Sequence, residues 1–251
     1  MQNALSWVRR REHPVADQLY CAAKRLRKID LPVIPGFHHA LRILHLATTQ
    51  ALREAARVLY WTPLFRTRLE GSHRRLHIAG FGMPLVCGPV DIKVGDDCRF
   101  SNAVTISGRR TSPIRPKLLI GNNVGIGWQT TISVGSRIEF GDNVRIAGRA
   151  YFSGYPGHPL DATARAAGEP DTEDQVGEII LHSDVWLGTG CIILPGVEIG
   201  SGTVVAAGSV VTKSLPPRVI AAGMPAKVIR RLDGNVDRAN SKIVIDLTAE
   251  G

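Results

Sequence analysis

Large aliphatic residues recur at every sixth position near the carboxyl end of this 251-residue chain. The unbroken run consists of Leu181, Leu187, Ile193, Ile199, Val205 and Val211. The same spacing occurs earlier, from Ile120 to Ile138 and from Phe140 to Phe152. A period of six is neither the 3.6 of an amphipathic helix nor the two of a half-buried strand. It indicates a short strand followed by a tight corner, repeated many times.

Three such sides make a coil of about eighteen residues, and successive coils stack about 4.8 Å apart through backbone hydrogen bonds. The inward aliphatic side chains then form one continuous core. Corner sequences such as Gly121-Asn122-Asn123 and Gly141-Asp142-Asn143 supply residues that tolerate a positive φ. The expected fold class is therefore mainly β, a parallel β-helix. Shifts in the phase of the repeat predict short insertions near residues 109–116 and 136–140.

The first 75 residues differ in composition from the rest of the chain. They hold 14 of the 31 Lys and Arg residues, 5 of the 22 Asp and Glu residues and 2 of the 26 glycines. We therefore expect a basic α-helical segment at residues 1–75 and the β-helix at 76–232. Within the β-helix the repeat fails over residues 153–179, which predicts a loop expelled from one corner. Residues 233–251 form a tail of unassigned role.

The cysteines and the hydropathy pattern indicate a cytoplasmic protein. The four cysteines form no CxxC pair and are too few for a disulfide framework. The first eleven residues lack the apolar run of a signal peptide. No window approaches the roughly 18 uninterrupted apolar residues of a membrane-spanning helix.

Four motifs carry a resemblance to a known family. They are His158-Pro159-Leu160-Asp161, Asp184-Val185-Trp186-Leu187-Gly188, Ala207 to Lys213, and Gly223 to Arg230. In this order they resemble the maltose and galactoside O-acetyltransferases of the hexapeptide-repeat acyltransferase family. The resemblance implies a left-handed parallel β-helix and a homotrimer with active sites between neighbouring subunits. It also implies acetyl-CoA as co-substrate, with no metal required.

The loop motif contains the candidate catalytic residues. Transfer of an acetyl group to a hydroxyl needs a base, and a histidine titrates near neutral pH and can accept that proton. His158 is the predicted general base, in a direct transfer within a ternary complex. Glu169, which matches a glutamate of the family, or Asp161 would orient the imidazole. The alternative role of Asp161 is to close the turn. A backbone N–H near residues 186–189 would stabilise the oxyanion.

The resemblance also assigns binding residues. The coenzyme A positions are Trp186, Thr189, Ala207, Thr212, Lys213, Lys227 and Arg230, of which the three cationic side chains would meet phosphates. A family asparagine that holds the acceptor sugar is replaced here by a glycine within Gly125-Ile126-Gly127-Trp128-Gln129. Trp128, Gln129 and Arg165 are the candidate contacts for a sugar or polysaccharide-precursor acceptor, as in a surface-polysaccharide O-acetyltransferase.

The sequence of the amino-terminal segment allows two binding partners. Phe37, Leu41, Leu44, Thr48, Leu52, Ala55 and Leu59 form an amphipathic stripe among basic residues. The stripe either packs within the trimer or makes a peripheral contact with the inner face of the membrane. Nucleic acid binding is not expected. The alternative functions are a serine O-acetyltransferase or xenobiotic acetyltransferase, a zinc-dependent γ-type carbonic anhydrase, and a non-catalytic trimeric scaffold.

Overall fold

The computed structural model of the chain describes residues 2–232. The tail expected at residues 233–251 therefore lies outside the described residues. Two compact units, residues 1–51 and 52–251, emerge from the backbone contacts. None of the helices within residues 2–232 is long and apolar enough to cross a membrane.

The first unit is helical. Helices α1 and α2 span Gln2–Arg10 and Pro14–Leu26 and pack against each other. Helix α3, Pro35–Ala56, begins in this unit, and none of its residues is buried. A π-helical turn at Arg57–Trp61 and the short helix α4, Thr62–Arg66, follow in the second unit. There Phe65 is buried and lies edge-to-face with Phe100, at 6.3 Å between ring centroids, which closes one end of the core.

Three sheets form the sides of a prism. Each of the first six coils gives one strand to each sheet, and β19 and β20 are added to sheet 2 at the end. Sheet 1 contains β1 (Leu69–Glu70), β4 (Asp91–Val94), β7 (Lys117–Ile120), β10 (Arg137–Phe140), β13 (Ile179–Leu181) and β16 (Glu198–Ile199). Sheet 2 contains β2 (His77–Ala79), β5 (Arg99–Ser101), β8 (Gly125–Ile126), β11 (Arg145–Ile146), β14 (Trp186–Leu187), β17 (Val204–Val205), β19 (Val219–Gly223) and β20 (Ala226–Arg231). Sheet 3 contains β3 (Leu85–Cys87), β6 (Thr105–Gly108), β9 (Thr131–Val134), β12 (Tyr151–Ser153), β15 (Ile192–Ile193) and β18 (Val210–Val211).

Every strand pairing is parallel except the last, in which β20 turns back antiparallel to β19. The six-residue repeat supplies the inward side chains, which are buried from Ile78 to Ala221 in one continuous core. The expectation of a left-handed parallel β-helix with a helical amino-terminal segment is confirmed.

The phase shifts of the repeat correspond to extra residues at one edge of the prism. Residues 109–116 form an eight-residue excursion between β6 and β7. In the next coil Ile120 pairs with Phe140, twenty positions on, whereas Leu181 pairs with Ile199, eighteen positions on. The second expected insertion is therefore two residues long. It is absorbed by the four-residue strands β9 and β10.

The three edges of the prism differ in the length and composition of the corners that form them. The loop edge joins sheet 3 to sheet 1 and carries residues 109–116 and 154–178. The glycine edge joins sheet 2 to sheet 3 through four-residue corners at 127–130, 147–150, 188–191 and 206–209. The asparagine edge joins sheet 1 to sheet 2, where Asn123 donates to Asn143 (2.8 Å) and Asn143 to Asp184 (3.0 Å). These three side chains are stacked because each has a positive φ.

Candidate functional site

The long loop leaves the prism and returns to it at one point. The chain departs after β12 and rejoins at β13, and the N–H of Gly177 donates to the carbonyl of Gly154 (3.1 Å). The loop includes the short helix α5, Ala162–Ala166, and a 3-10 turn at Glu173–Gln175. Because this hydrogen bond joins the two ends of the loop, the loop projects from the prism without interrupting the stacked coils.

A buried ion pair fixes this loop to the other insertion on the loop edge. Arg109 Nε lies 2.7 Å from Asp171 Oδ1, and both side chains are only 3% exposed. Arg109 also donates to the Asp171 carbonyl (2.9 Å) and to Glu173 Oε1 (2.5 Å). Burial disfavours the charge on Arg109, but the bonds to Glu173 and Asp171 outweigh burial and raise the guanidinium pKa. The pair is therefore a charged anchor.

The same anchor reaches the residue that precedes His158. Asp171 Oδ2 accepts a hydrogen bond from the N–H of Gly157 (3.0 Å). On the other side of His158, Arg165 Nη1 donates to the carbonyls of Pro159 and Leu160, both at 3.0 Å. The backbone around His158 is thus held from both sides, while its imidazole is exposed.

The two candidate acids do not reach His158 within the described part of the chain. Asp161 caps α5 by accepting from the N–H of Ala164 at 2.8 Å, so it closes the turn. Glu169 has an exposed side chain, and its backbone N–H donates to the carbonyl of Ala164 at 3.0 Å. Among residues 2–232 neither carboxylate makes a hydrogen bond or ion pair with the imidazole. Arg165, a candidate contact for the acceptor, donates to the loop backbone.

A cleft of about 350 Å³ separates the two insertions of the loop edge. Its lining includes Ser107, Arg109, Tyr155, Gly157 and Asp171. The Tyr155 hydroxyl donates to Ser107 Oγ at 3.4 Å. The cleft lies beside the backbone that carries His158, and polar and apolar groups both line it.

A second group of candidates lies on the glycine edge. The corner residues Trp128, Gly148, Thr189 and Ala207 stack in successive coils through bonds from Arg149 N to Trp128 O (2.8 Å), Gly190 N to Gly148 O (3.0 Å) and Gly208 N to Thr189 O (2.8 Å). Trp128, Gln129, Thr189 and Ala207 are all exposed. A Cβ on Gly148 would lie 2.5 Å from Trp128 Nε1, so the position of the indole requires glycine there.

Backbone donors are available on this edge. The N–H groups of Trp186 and Gly188 donate to Thr203 (3.0 Å) and Val205 (2.8 Å) of the next coil. Those of Thr189 and Ala207 make no hydrogen bond within residues 2–232. Among residues 186–189, Thr189 is therefore a donor that could face a carbonyl oxygen.

A groove of about 610 Å³ on the outer face of sheet 2 adjoins the glycine edge. It brings Trp128 and Trp186 together over Gly125 and Gly127, with Arg145 beside them. Arg145 pairs in register with both Gly125 and Trp186. The missing side chain at Gly125 deepens the groove between neighbouring coils.

The remaining candidates are placed in two locations. Thr212 and Lys213 follow β18 and lie on the loop edge, above the expelled loop. Lys227 and Arg230 are exposed on β20, opposite Ala222 and Ile220 of β19. Coenzyme A fits this donor set: free N–H groups at Thr189 and Ala207 suit its amide chain, and the two cations of β20 suit its phosphates.

One of the alternative functions, a γ-type carbonic anhydrase, requires a zinc site. Within residues 2–232, His, Cys, Asp and Glu side chains nowhere gather in a group of three or more that could hold a metal ion. His182, which lies on sheet 1, is engaged with Glu198 at 2.5 Å.

The sequence reasoning missed Arg109 and Asp171, which are 62 positions apart. The available signal was indirect: each lies in a stretch where the six-residue spacing fails. Nothing in the local sequence indicates that they pair.

Comparison with known proteins agrees with the fold. A family model described as bacterial transferase hexapeptide (six repeats) matches residues 178–213. Part of the β-helix of this chain thus matches the hexapeptide repeat found in bacterial transferases. The chain is 40% identical over 114 residues to galactoside O-acetyltransferase of Escherichia coli, a match that covers 45% of this chain and 54% of that protein. It is 41% identical over 103 residues to a putative acetyltransferase of Schizosaccharomyces pombe, covering 41% of this chain and 44% of that protein. The chain thus spans about half the length of these relatives.

Solved structures show the same fold in this hexapeptide-repeat chain. AntD, an N-acyltransferase from Bacillus cereus in complex with dTDP and 3-hydroxybutyryl-CoA, aligns with a TM-score of 0.52 and 21% identity. The alignment covers 68% of this chain and 87% of that chain. At this identity the likeness concerns the fold alone.

Proposed function

We propose that the protein transfers an acetyl group from acetyl-CoA to a hydroxyl of a sugar or glycan precursor, with His158 as general base. The observation that carries the proposal is an exposed imidazole on a loop whose backbone is held on both sides, by Asp171 and by Arg165. The Arg109–Asp171 ion pair holds the backbone next to His158, which is the single histidine of residues 153–179. The repeats and the acetyltransferase relatives support the same reaction class.

His158 would accept the proton of the acceptor hydroxyl as the oxygen attacks the acyl carbonyl, and would return it to the departing sulfur. The N–H of Thr189 would donate to the oxygen that becomes negative. Acetyl-CoA supplies the activated thioester. Trp128 and Trp186 would offer flat faces to a sugar ring. The absence of a side chain at Gly125 leaves space for that ring in the groove.

The placement of these groups favours a site made by two chains. His158 lies on the loop edge, whereas Thr189, Ala207 and Trp128 lie on the glycine edge of the same prism. A rotation about a threefold axis brings the loop edge of one subunit to the glycine edge of the next, since cyclic assemblies use two different patches at each interface. We therefore propose a homotrimer in which Asp161, Glu169 and the neighbour's groups surround His158.

The place of action proposed is the cytoplasm. The four cysteines, Cys21, Cys87, Cys98 and Cys191, are free thiols, and burial raises the pKa of Cys98 and Cys191, which keeps them protonated. Free thiols suit a reducing compartment.

The experiment measures release of free thiol from acetyl-CoA with a panel of mono- and disaccharides, and with longer acyl-CoA donors. We expect His158→Ala to lower the rate by about 10³, while the affinity for coenzyme A measured by calorimetry stays within about twofold. His182→Ala, which removes the histidine paired with Glu198 on sheet 1, is the matched control and keeps full activity. Turnover by His158→Ala near the control rate excludes it as the base. A chain that binds no coenzyme A is a scaffold instead.

A further inference from the structure

Helix α3 presents large apolar side chains that are exposed within the described part of the chain. Phe37, Leu41, Ile43, Leu44, Leu46 and Leu52 are between 50% and 69% exposed. A soluble protein rarely leaves so many large apolar groups exposed together unless the surface has a partner. These side chains therefore indicate a partner beyond residues 2–232.

The apolar residues of α3 occupy a broad face rather than a narrow seam. At about 100° per residue, the positions from Ile43 through Leu44 and Phe37 to Leu52 cover an arc of about 180°. The seam of a coiled coil takes only about two positions in seven. A half-cylinder of apolar side chains matches a flat apolar boundary better than it matches two narrow helical partners. Leu46 is the exception, since it lies on the opposite, polar side.

The polar face of α3 carries only cationic and neutral groups. Arg42 and Arg53 lie there with the imidazoles of His38, His39 and His45. From residue 29 to 53 the only acid is Asp30, which precedes the helix. Glu54, at the end of the helix beside the Ile43 border of the apolar arc, is bound by Arg57 at 2.7 Å. A cationic polar face opposite an apolar face is the pattern of helices that lie in the interface of an anionic bilayer.

The segment before α3 extends the same surface. Ile29, Leu31, Val33 and Ile34, which lie outside any helix, are between 59% and 79% exposed. The end of α2 adds Lys24 and Arg25 in its last turn. Apolar side chains without a helix would insert between headgroups, while the nearby cations meet lipid phosphates.

We propose that α3 together with residues 29–34, the α3 surface, binds an anionic lipid bilayer, with the helix axis in the plane of the membrane and the face of Phe37, Leu41 and Leu44 among the acyl chains. The charge of the polar face is what selects lipid of negative charge. The inference concerns this segment alone and does not depend on the acyl-transfer activity.

The test uses the full-length protein and two kinds of vesicle, phosphatidylcholine alone and phosphatidylcholine mixed with phosphatidylglycerol. We expect co-sedimentation with the mixed vesicles, weakened by salt. Replacing the two arginines, Arg42→Gln with Arg53→Gln, weakens that binding roughly 30-fold. Leu44→Ser weakens binding roughly tenfold, because the leucine no longer enters the apolar layer.

The matched control is Leu46→Ser, the same substitution two positions away on the polar side of the same helix. It changes binding less than about twofold, because Leu46 faces away from the acyl chains. Equal losses for Leu44→Ser and Leu46→Ser, or absence of binding to the mixed vesicles, overturn the proposal. Sedimentation velocity without vesicles provides the last readout. If Leu41→Ser with Leu44→Ser splits the oligomer, the α3 surface is an interface between copies and the lipid proposal is wrong.

Discussion

The glycine edge and the loop edge of the prism are built from the same coils but differ in how they vary. Every corner of the glycine edge from Gly127 onward has four residues, and exposed N–H groups remain at Thr189 and Ala207. The loop edge carries insertions of eight and two residues and an expelled loop held by Arg109 and Asp171. The regular corners of the glycine edge present backbone N–H groups, whereas the irregular loop edge presents the titratable side chain of His158. A reaction that needs both would draw on two edges.

The most direct test of whether both edges contribute to one site is to inactivate a different edge in each of two variant proteins. His158→Ala removes the base from the loop edge, and Ala207→Phe fills the exposed corner of the glycine edge. Each protein alone should be inactive. Co-refolded in equal amounts, they should regain about a quarter of wild-type activity, because each mixed trimer contains one interface with two intact edges.

Mixing folded proteins without refolding is the control and should give no activity. If co-refolded trimers, verified by mass spectrometry, stay inactive, the two edges do not meet in one site. The homotrimeric arrangement would then need a different pairing of surfaces.

The next prediction concerns the anchor of the loop edge. Asp171→Asn should lower the free energy of unfolding, or of local opening of the loop, by about 3 kcal/mol, because it leaves the Arg109 charge buried and poorly compensated. Glu173→Gln neutralises the other carboxylate on the same guanidinium, but the Glu173 side chain is 64% exposed. It should cost less than about 1 kcal/mol. Urea unfolding and hydrogen exchange at residues 154–178 measure the difference. Equal effects would mean that Asp171 is not the anchor.

Sequence reasoning reached the fold because the inward positions are periodic. The run from Leu181 to Val211 requires stacked six-residue sides, and the break after Phe152 marks the loop. It did not reach the anchor, since Arg109 and Asp171 are distant in sequence and obey no period. For Asp161 it gave two roles, to orient His158 or to close the turn, and it could not choose between them because a capping bond depends on where α5 begins. Repetition can be read from one sequence, whereas single side-chain contacts cannot.

A smaller effect should follow from changing the glycine edge. Gly148→Ala would place a Cβ 2.5 Å from Trp128 Nε1, so the indole must move out of its groove. We expect a loss of about 1 kcal/mol in stability and a shift in tryptophan fluorescence. In a Trp128→Ala background the same substitution should cost less, and the difference is the coupling energy of the pair. Additive costs would show that the indole does not lie over Gly148.

The asparagine edge provides the smallest effect and a reference for the other two. There Asp96 accepts from Arg74 Nε (2.8 Å) and from the Arg74 N–H (2.9 Å), which joins the first two coils. Hydrogen bonds from the Arg74 and Ser72 side chains hold the pKa of Asp96 well below its usual range. A carboxylate with a lowered pKa in the folded state contributes its full stabilisation above the unfolded pKa of about 4. That contribution declines as pH falls below about 4 and disappears only below the lowered folded-state pKa. Asp96→Asn should therefore reduce the thermal midpoint slightly at neutral pH, and the difference should shrink progressively as the pH falls from about 4 to about 3. An unchanged difference across that range would mean that the ion pair contributes nothing, and that this edge is held by its backbone and asparagine bonds alone.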